Sequence, residues 1–117
     1  MTRILCLGDS ITDCGRLFSA DPLGKGYVKQ LSCLLHNTDH RFSIENRGID
    51  GFTLERLLQN TDFWLESSDP DIVTVLIGIN DVGIMMNPRR SSAQQQDLMN
   101  KFVTRYEIGR ASCREKV

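Results

Sequence analysis

The sequence has 117 residues, which allows one domain at most, built around a single hydrophobic core. Its formal net charge is −1 and its basic residues are scattered, so the composition does not favour nucleic-acid binding. The apolar run before Gly8 is too short for the apolar segment of a signal peptide, and no later run is long enough to span a membrane. We therefore expect a cytoplasmic protein in which the 4 cysteines are free thiols rather than disulfides or zinc ligands.

The first predicted strand, residues 4–7, is an uninterrupted apolar run, as expected of a parallel strand covered on both faces. Asp9 and Ser10 follow Gly8 at its carboxyl end, where ligands bind in open parallel sheets. Ser10 is therefore a candidate nucleophile, provided that a base can reach its hydroxyl. The alternative is that Gly-Asp-Ser is an ordinary turn or helix cap.

An amphipathic helix is predicted after the breaker-rich residues 21–26, because apolar side chains recur at helical spacing from Tyr27 to Leu35. Residues 37–39 are expected to end this helix as a turn. A second strand is predicted at residues 42–46.

The second strand leads into a loop that contains Gly48 and Gly51. Thr53 stands where the N-cap of the next helix is expected, and that helix breaks at residues 69–71. For Gly48 we prefer a purely local role, as a turn residue with positive φ.

The third predicted strand, residues 72–77, is the most β-branched run in the chain, which favours a central place in the sheet. Gly78, Asn80 and Asp81 follow it. Residues 82–90 are predicted to form a loop. A capping box of Ser92 and Gln95 then opens a last amphipathic helix. The alternation of strands and helices predicts an α/β fold with a parallel, doubly wound sheet.

Three strand-to-glycine junctions together resemble the SGNH hydrolases, also called GDSL esterases and lipases: Gly8-Asp9-Ser10, residues 46–53, and Gly78-Ile79-Asn80-Asp81. The resemblance implies a three-layer, flavodoxin-like fold and hydrolysis of a small-molecule ester, without cofactor or metal, through an acyl-Ser10 intermediate. It also implies an oxyanion hole formed by the backbone N–H groups of Ser10 and Gly51 and the side-chain amide of Asn80. Asp9 and Asp81 are expected to support the loops by accepting backbone hydrogen bonds.

The fourth block of that family, an Asp-x-x-His, is absent from this sequence. His36 and His40 are four apart, but the turn residues between them disfavour a zinc site. Both precede a strand, so we expect them at the opposite sheet edge from Ser10. The resemblance thus predicts a fold that is incomplete on its C-terminal side and an impaired or inactive enzyme. A non-catalytic, flavodoxin-like module that binds a small anionic ligand is the alternative.

The C-terminal residues 107–117 resemble a translated sequencing adapter, so the predicted domain comprises residues 1–106. Loss of further strands would leave an exposed apolar edge on the third strand, through which the chain could self-associate. Ile84, Met85 and Met86 either line an acyl pocket or cover core that the missing segment leaves open. The motifs do not specify which ester is cleaved.

Overall fold

The computed structural model describes residues 1–38 and 41–116. Its parallel sheet has the strand order β2-β1-β3 and consists of β1 (Thr2–Gly8), β2 (Phe42–Gly48) and β3 (Ile72–Leu76). The helices are α1 (Ser10–Asp13), α2 (Tyr27–Thr38), α3 (Leu54–Ser68), α4 (Ile79–Met85) and α5 (Ser92–Lys116), with a short 3₁₀ turn at Arg16–Phe18.

Side chains of a strand alternate between its two faces, and both faces of β1 carry apolar side chains. Helices therefore cover both faces. Ile4 and Cys6 point to one face and pack with Val28 of α2. Leu5 and Leu7 point to the other face and pack against α3, where their buried neighbours are Leu57, Trp64 and Leu65. The predicted three-layer α/β fold with a parallel sheet is confirmed.

The prediction that the third strand is central was wrong: among the described strands, β1 is in the middle and β3 is at an edge. Ile72 and Leu76 of β3 are 45% and 46% exposed. A β-branched, apolar sequence indicates that a strand requires cover, but it does not indicate which neighbours the strand has.

The predicted loop at residues 82–90 is partly a helix, α4. It begins after Gly78, whose φ is 137°, and the Val82 N–H donates to the Gly78 carbonyl over 2.9 Å. Met85 is buried, whereas Ile84 and Met86 are exposed. Of the three residues, Met85 is therefore the one that contributes to the core.

The last helix begins with a capping box one residue earlier than predicted. The Gln94 N–H donates to Ser91 Oγ over 3.1 Å, and the Ser91 N–H donates to Gln94 Oε1 over 2.8 Å. Helix α5 then continues past Tyr106 to Lys116, although the apolar periodicity weakens there. It stays in contact with α3 because Gly109 is buried against Leu58.

Candidate active site

The carboxyl ends of the three strands lie level with one another. Gly8 at the end of β1 pairs with Gly48 at the end of β2 and with Leu76 at the end of β3. Ser10 in α1, Gly51 in a turn and Asn80 in α4 therefore follow the strands at the same end of the sheet, the end at which open parallel sheets bind ligands.

Ser10 is the first residue of α1 and is half-buried. Asp9 precedes it as the N-cap and is only 1% exposed. The Asp9 carboxylate accepts the Ile11 N–H over 2.9 Å, and the Asp9 carbonyl accepts the Asp13 N–H over 2.9 Å. Asp9 thus caps the N-terminus of α1.

Gly51 lies in a tight turn. The Phe52 N–H donates to the Ile49 carbonyl over 3.2 Å, and Gly51 has a φ of 79° while Asp50 stays out of the positive-φ region. This is the pattern of a type II turn, whose third residue needs the left-handed conformation that glycine adopts without strain. The N–H of Gly51 takes no part in the hydrogen bond that closes the turn.

Asn80 and Asp81 hold the exit of the same turn. Asn80 Nδ2 donates to the Phe52 carbonyl over 2.9 Å. The Asp81 carboxylate accepts the Leu54 N–H, with Oδ2 at 3.0 Å. A side-chain amide carries two N–H groups, so Asn80 retains a second donor beside the one used on Phe52. Burial raises the pKa of Asp81, and the hydrogen bond from Leu54 opposes this shift.

Thr53 caps α3 as predicted. Its φ and ψ are −97° and 167°, and its hydroxyl accepts the Arg56 N–H over 3.5 Å. The Gly51 turn therefore runs directly into the N-terminus of a 15-residue helix, which gives the end of the turn a rigid support.

Sequence reasoning missed a polar cluster between the serine helix and the end of β2. Asn46 Nδ2 donates to the carbonyls of Thr12 at 2.7 Å and Leu23 at 2.9 Å, and Asn46 Oδ1 accepts the Gly48 N–H at 2.9 Å. Arg16 Nη2 donates to the Gly48 carbonyl at 2.5 Å. The available signal was Asn46 near the end of the second strand, because an asparagine that is buried there requires hydrogen-bond partners.

Gly48 does not serve a turn with positive φ, contrary to the expectation. A Cβ at this position would lie 2.3 Å from the Asp13 nitrogen and 2.7 Å from the Thr12 carbonyl carbon. Glycine is present because the backbones of α1 and β2 approach each other closely.

His36 does not reach this site. His36 Nε2 lies 3.1 Å from the carbonyl of Phe42, the first residue of β2, at the opposite end of the sheet from Ser10. His40 lies outside the described residues. Within residues 1–38 and 41–116, no three His, Cys, Asp or Glu side chains are grouped so as to hold a metal ion.

The four cysteines are separate free thiols, with Cys6 buried and Cys33 exposed. No helix in the described part of the chain is long and apolar enough to cross a membrane.

Known proteins resemble this chain in sequence and in fold. The model of the GDSL-like lipase/acylhydrolase family matches residues 6–110. The chain belongs to this family. The match includes the three loops at the carboxyl edge of the sheet and ends four residues beyond Tyr106.

An acetylxylan esterase from Geobacillus stearothermophilus is 39% identical to this GDSL-family chain over 87 residues, which are 68% of the chain and 40% of that protein. A structure of such an esterase from the same organism superposes with a TM-score of 0.66 at 30% identity, covering 91% of this chain and 54% of that one. A protein from Parabacteroides merdae described as a GDSL-like lipase has a TM-score of 0.65 at 25% identity and similar coverage.

The GDSL-family chain thus spans about half the length of the solved relatives it matches. Three of the Geobacillus structures are described as catalytic mutants of the esterase, with alanine in place of a serine, an aspartate or a histidine.

Proposed function

We propose that this chain carries the nucleophile and the oxyanion-binding side of a serine ester hydrolase. The observation that carries the proposal is that Asn80 binds the turn of Gly51 through Phe52, at the same sheet edge from which the Ser10 loop departs. Donors held in place before the reaction are what stabilises charge that develops in an acyl-transfer transition state.

In the proposed reaction, Ser10 Oγ forms a bond to the ester carbonyl carbon while its proton passes to a base. The carbonyl oxygen becomes an oxyanion that accepts hydrogen bonds from the N–H groups of Ser10 and Gly51 and from the Asn80 amide. Expulsion of the alcohol, which takes up a proton, leaves acyl-Ser10. Water then attacks the acyl carbon and gives a proton to the base. The bond between the acyl carbon and Ser10 Oγ breaks, Oγ takes up that proton, and the acid leaves as a carboxylate and a proton.

Among the described residues, no histidine lies near Ser10 to act as its base. Among the described residues, His36 is the one histidine, and its contact with Phe42 keeps it at the far end of the sheet. We therefore propose that the chain as it stands is severely impaired, because removal of a triad member from a serine hydrolase leaves only the contribution of binding and of the oxyanion hole.

We propose a short-chain ester, such as an acetyl ester, as the substrate class, because the 39% identical relative is an acetylxylan esterase. The test compares the chain with a version extended by the unmatched C-terminal part of that esterase, using p-nitrophenyl acetate. We expect Ser10-dependent hydrolysis in the extended chain and a much lower rate in the chain alone. Ser10→Ala should abolish the rate, whereas Ser43→Ala, on the exposed side of β2, should preserve it.

A folded extended chain whose hydrolysis is the same with Ser10→Ala would contradict the esterase proposal. It would instead support the alternative, a module that binds a small anionic ligand at the same loops. A fluorophosphonate probe gives a second readout, since it should label Ser10 in the extended chain.

We further propose that residues 107–117 are not part of the native domain. A cavity of about 370 Å³ lies where this part of α5 crosses β3 and α3, and its walls include Val73, Val75, Leu57 and Leu58. This space is half-open to solvent, so this part of α5 covers the apolar side chains of β3 and α3 only in part, whereas a native helix is expected to bury them. Sequencing the source gene across the Tyr106 junction tests the proposal, and a native reading frame through Val117 would refute it.

A further inference from the structure

Gly48, which precedes the Gly51 turn, is held by side chains as well as by the sheet. At Gly48, the last residue of β2, the N–H donates to Asn46 Oδ1 and the carbonyl accepts Arg16 Nη2. One residue later, the Ile49 N–H returns to the β1 side and donates to the Gly8 carbonyl over 3.1 Å. Both polar groups of Gly48 and the first N–H of the loop therefore have defined directions.

The same side chains connect Gly48 to the serine helix. The Asn46 amide donates to the carbonyl of Thr12, and Arg16 Nε lies 3.6 Å from the Asp13 carboxylate. Thr12 and Asp13 belong to α1, whose first residue is Ser10. Asn46 and Arg16 thus link the segment before the Gly51 turn to the helix that begins at Ser10.

The charged side chain of Arg16 is largely buried, and burying a charge costs free energy. Its Nε is buried and makes no hydrogen bond, because the Asp13 oxygen is too distant. Burial lowers the pKa of Arg16, and the nearby Asp13 carboxylate opposes this shift. Buried groups left without a partner require an explanation, and pairing buried charges is weak evidence for added stability.

The position of Gly48 constrains the position of Gly51. Only residues 49 and 50 separate Gly48 from Gly51, and the hydrogen bond from Phe52 to Ile49 closes them into one tight turn. A displacement of about 1 Å at a catalytic group can lower a rate by as much as about 100-fold.

From these contacts we propose that Arg16 and Asn46 are positioning residues, which fix the Gly51 N–H relative to Ser10. This inference rests on the proposed role of Gly51 in the oxyanion hole. Neither residue touches the ester; each acts through the peptide groups of Gly48 and Thr12.

The first test uses the chain as it is, labelled with ¹⁵N-glycine for NMR, with the Gly51 amide assigned through Gly51→Ala. In Arg16→Met we expect the Gly51 amide to show faster local motion and faster hydrogen exchange than in the wild type. Arg47→Met is the matched control, because Arg47 stands next to Gly48 but pairs with Glu45 of its own strand at 2.7 Å. In this control the Gly51 amide should match the wild type.

The second test uses the extended chain and its fluorophosphonate labelling rate. We expect Arg16→Met to slow labelling of Ser10 about tenfold, Arg16→Lys to recover part of the rate, and Arg47→Met to leave it unchanged. Arg16→Lys keeps one donor for the Gly48 carbonyl, so it also serves if Arg16→Met does not fold.

An Arg16→Met or Arg16→Lys protein with a lower melting temperature but an unchanged Gly51 amide would overturn the positioning role. Wild-type extended chain that fails to label would count against the proposed function instead, and the NMR measurement would still decide the role of Arg16.

Discussion

Strands β1 and β3 are similar in composition but differ in their surroundings. Residues 4–8 of β1 are all buried, whereas β3 has exposed residues at both ends and half-buried ones between. Two helical layers and two neighbouring strands surround β1, while β3 pairs with β1 alone among the described strands. The comparison shows that an apolar sequence favours burial of a strand, whereas the burial itself depends on which elements pack against that strand.

The two sides of the candidate site differ in burial in the same way. Its β1–β2 side is fastened by buried groups, including Asn46 and Asp13. Its β3 side, with Asn80 and Asp81, is half-buried and depends on contacts to the neighbouring turn. We expect substitutions on the first side to have the larger effects.

The largest predicted effect is that of Leu7→Ala in β1. Leu7 is fully buried, so its loss should lower the free energy of unfolding by about 2–5 kcal/mol. The matched control is Leu76→Ala in β3, which should change stability by less than about 1 kcal/mol because that side chain is already 46% exposed. Urea unfolding monitored by circular dichroism measures both, and equal losses would show that β3 is covered in solution.

Gly48→Ala should lower stability by about 1–3 kcal/mol, because the added methyl group meets the backbone of α1. Gly83→Ala in α4 is the control: a Cβ there has no neighbour within 4 Å, and alanine should stabilise the helix by about 0.5–1 kcal/mol. Thermal unfolding of the two variants distinguishes them. A neutral Gly48→Ala would mean that α1 and β2 lie further apart than described.

The edge of β3 that no described strand covers should promote self-association at high protein concentration. Leu76→Lys places a charge on this strand and should shift the protein toward monomer in sedimentation velocity experiments. Phe63→Lys is the control, since Phe63 is 68% exposed but lies on α3. If wild type is monomeric at all concentrations, or if both variants behave alike, β3 is not the site of association.

The smallest predicted effect concerns pH. Because the folded-state pKa of Asp81 is raised, its contribution to stability is fully present below the ordinary value of 3.8 and is lost as the pH rises through the folded-state pKa. Asp81→Asn keeps an acceptor for the Leu54 N–H and carries no charge. The difference in unfolding free energy between Asp81→Asn and wild type should therefore move in favour of the variant as the pH rises above 3.8. A difference that moves the other way would indicate that the interaction with Leu54 outweighs burial.

Local sequence patterns by themselves determined the α/β class, the family, the approximate strands and the Thr53 cap, because each depends on residues a few positions apart. They also placed the candidate residues at strand ends, since glycine and polar residues after an apolar run mark such an end. Residues of α4 were predicted to form a loop because their intrinsic helix propensity is weak. Packing of the buried Met85 favours the helix instead.

Only the tertiary structure decided that β1 is central among the described strands and that Arg16 and Asn46 bind the peptide groups of Gly48 and Thr12. These side chains meet backbone groups 32 and 34 positions away, at Gly48 and Thr12 respectively. The physical reason is that periodicity reports which face of an element is apolar, whereas the choice of partner depends on how distant segments pack together.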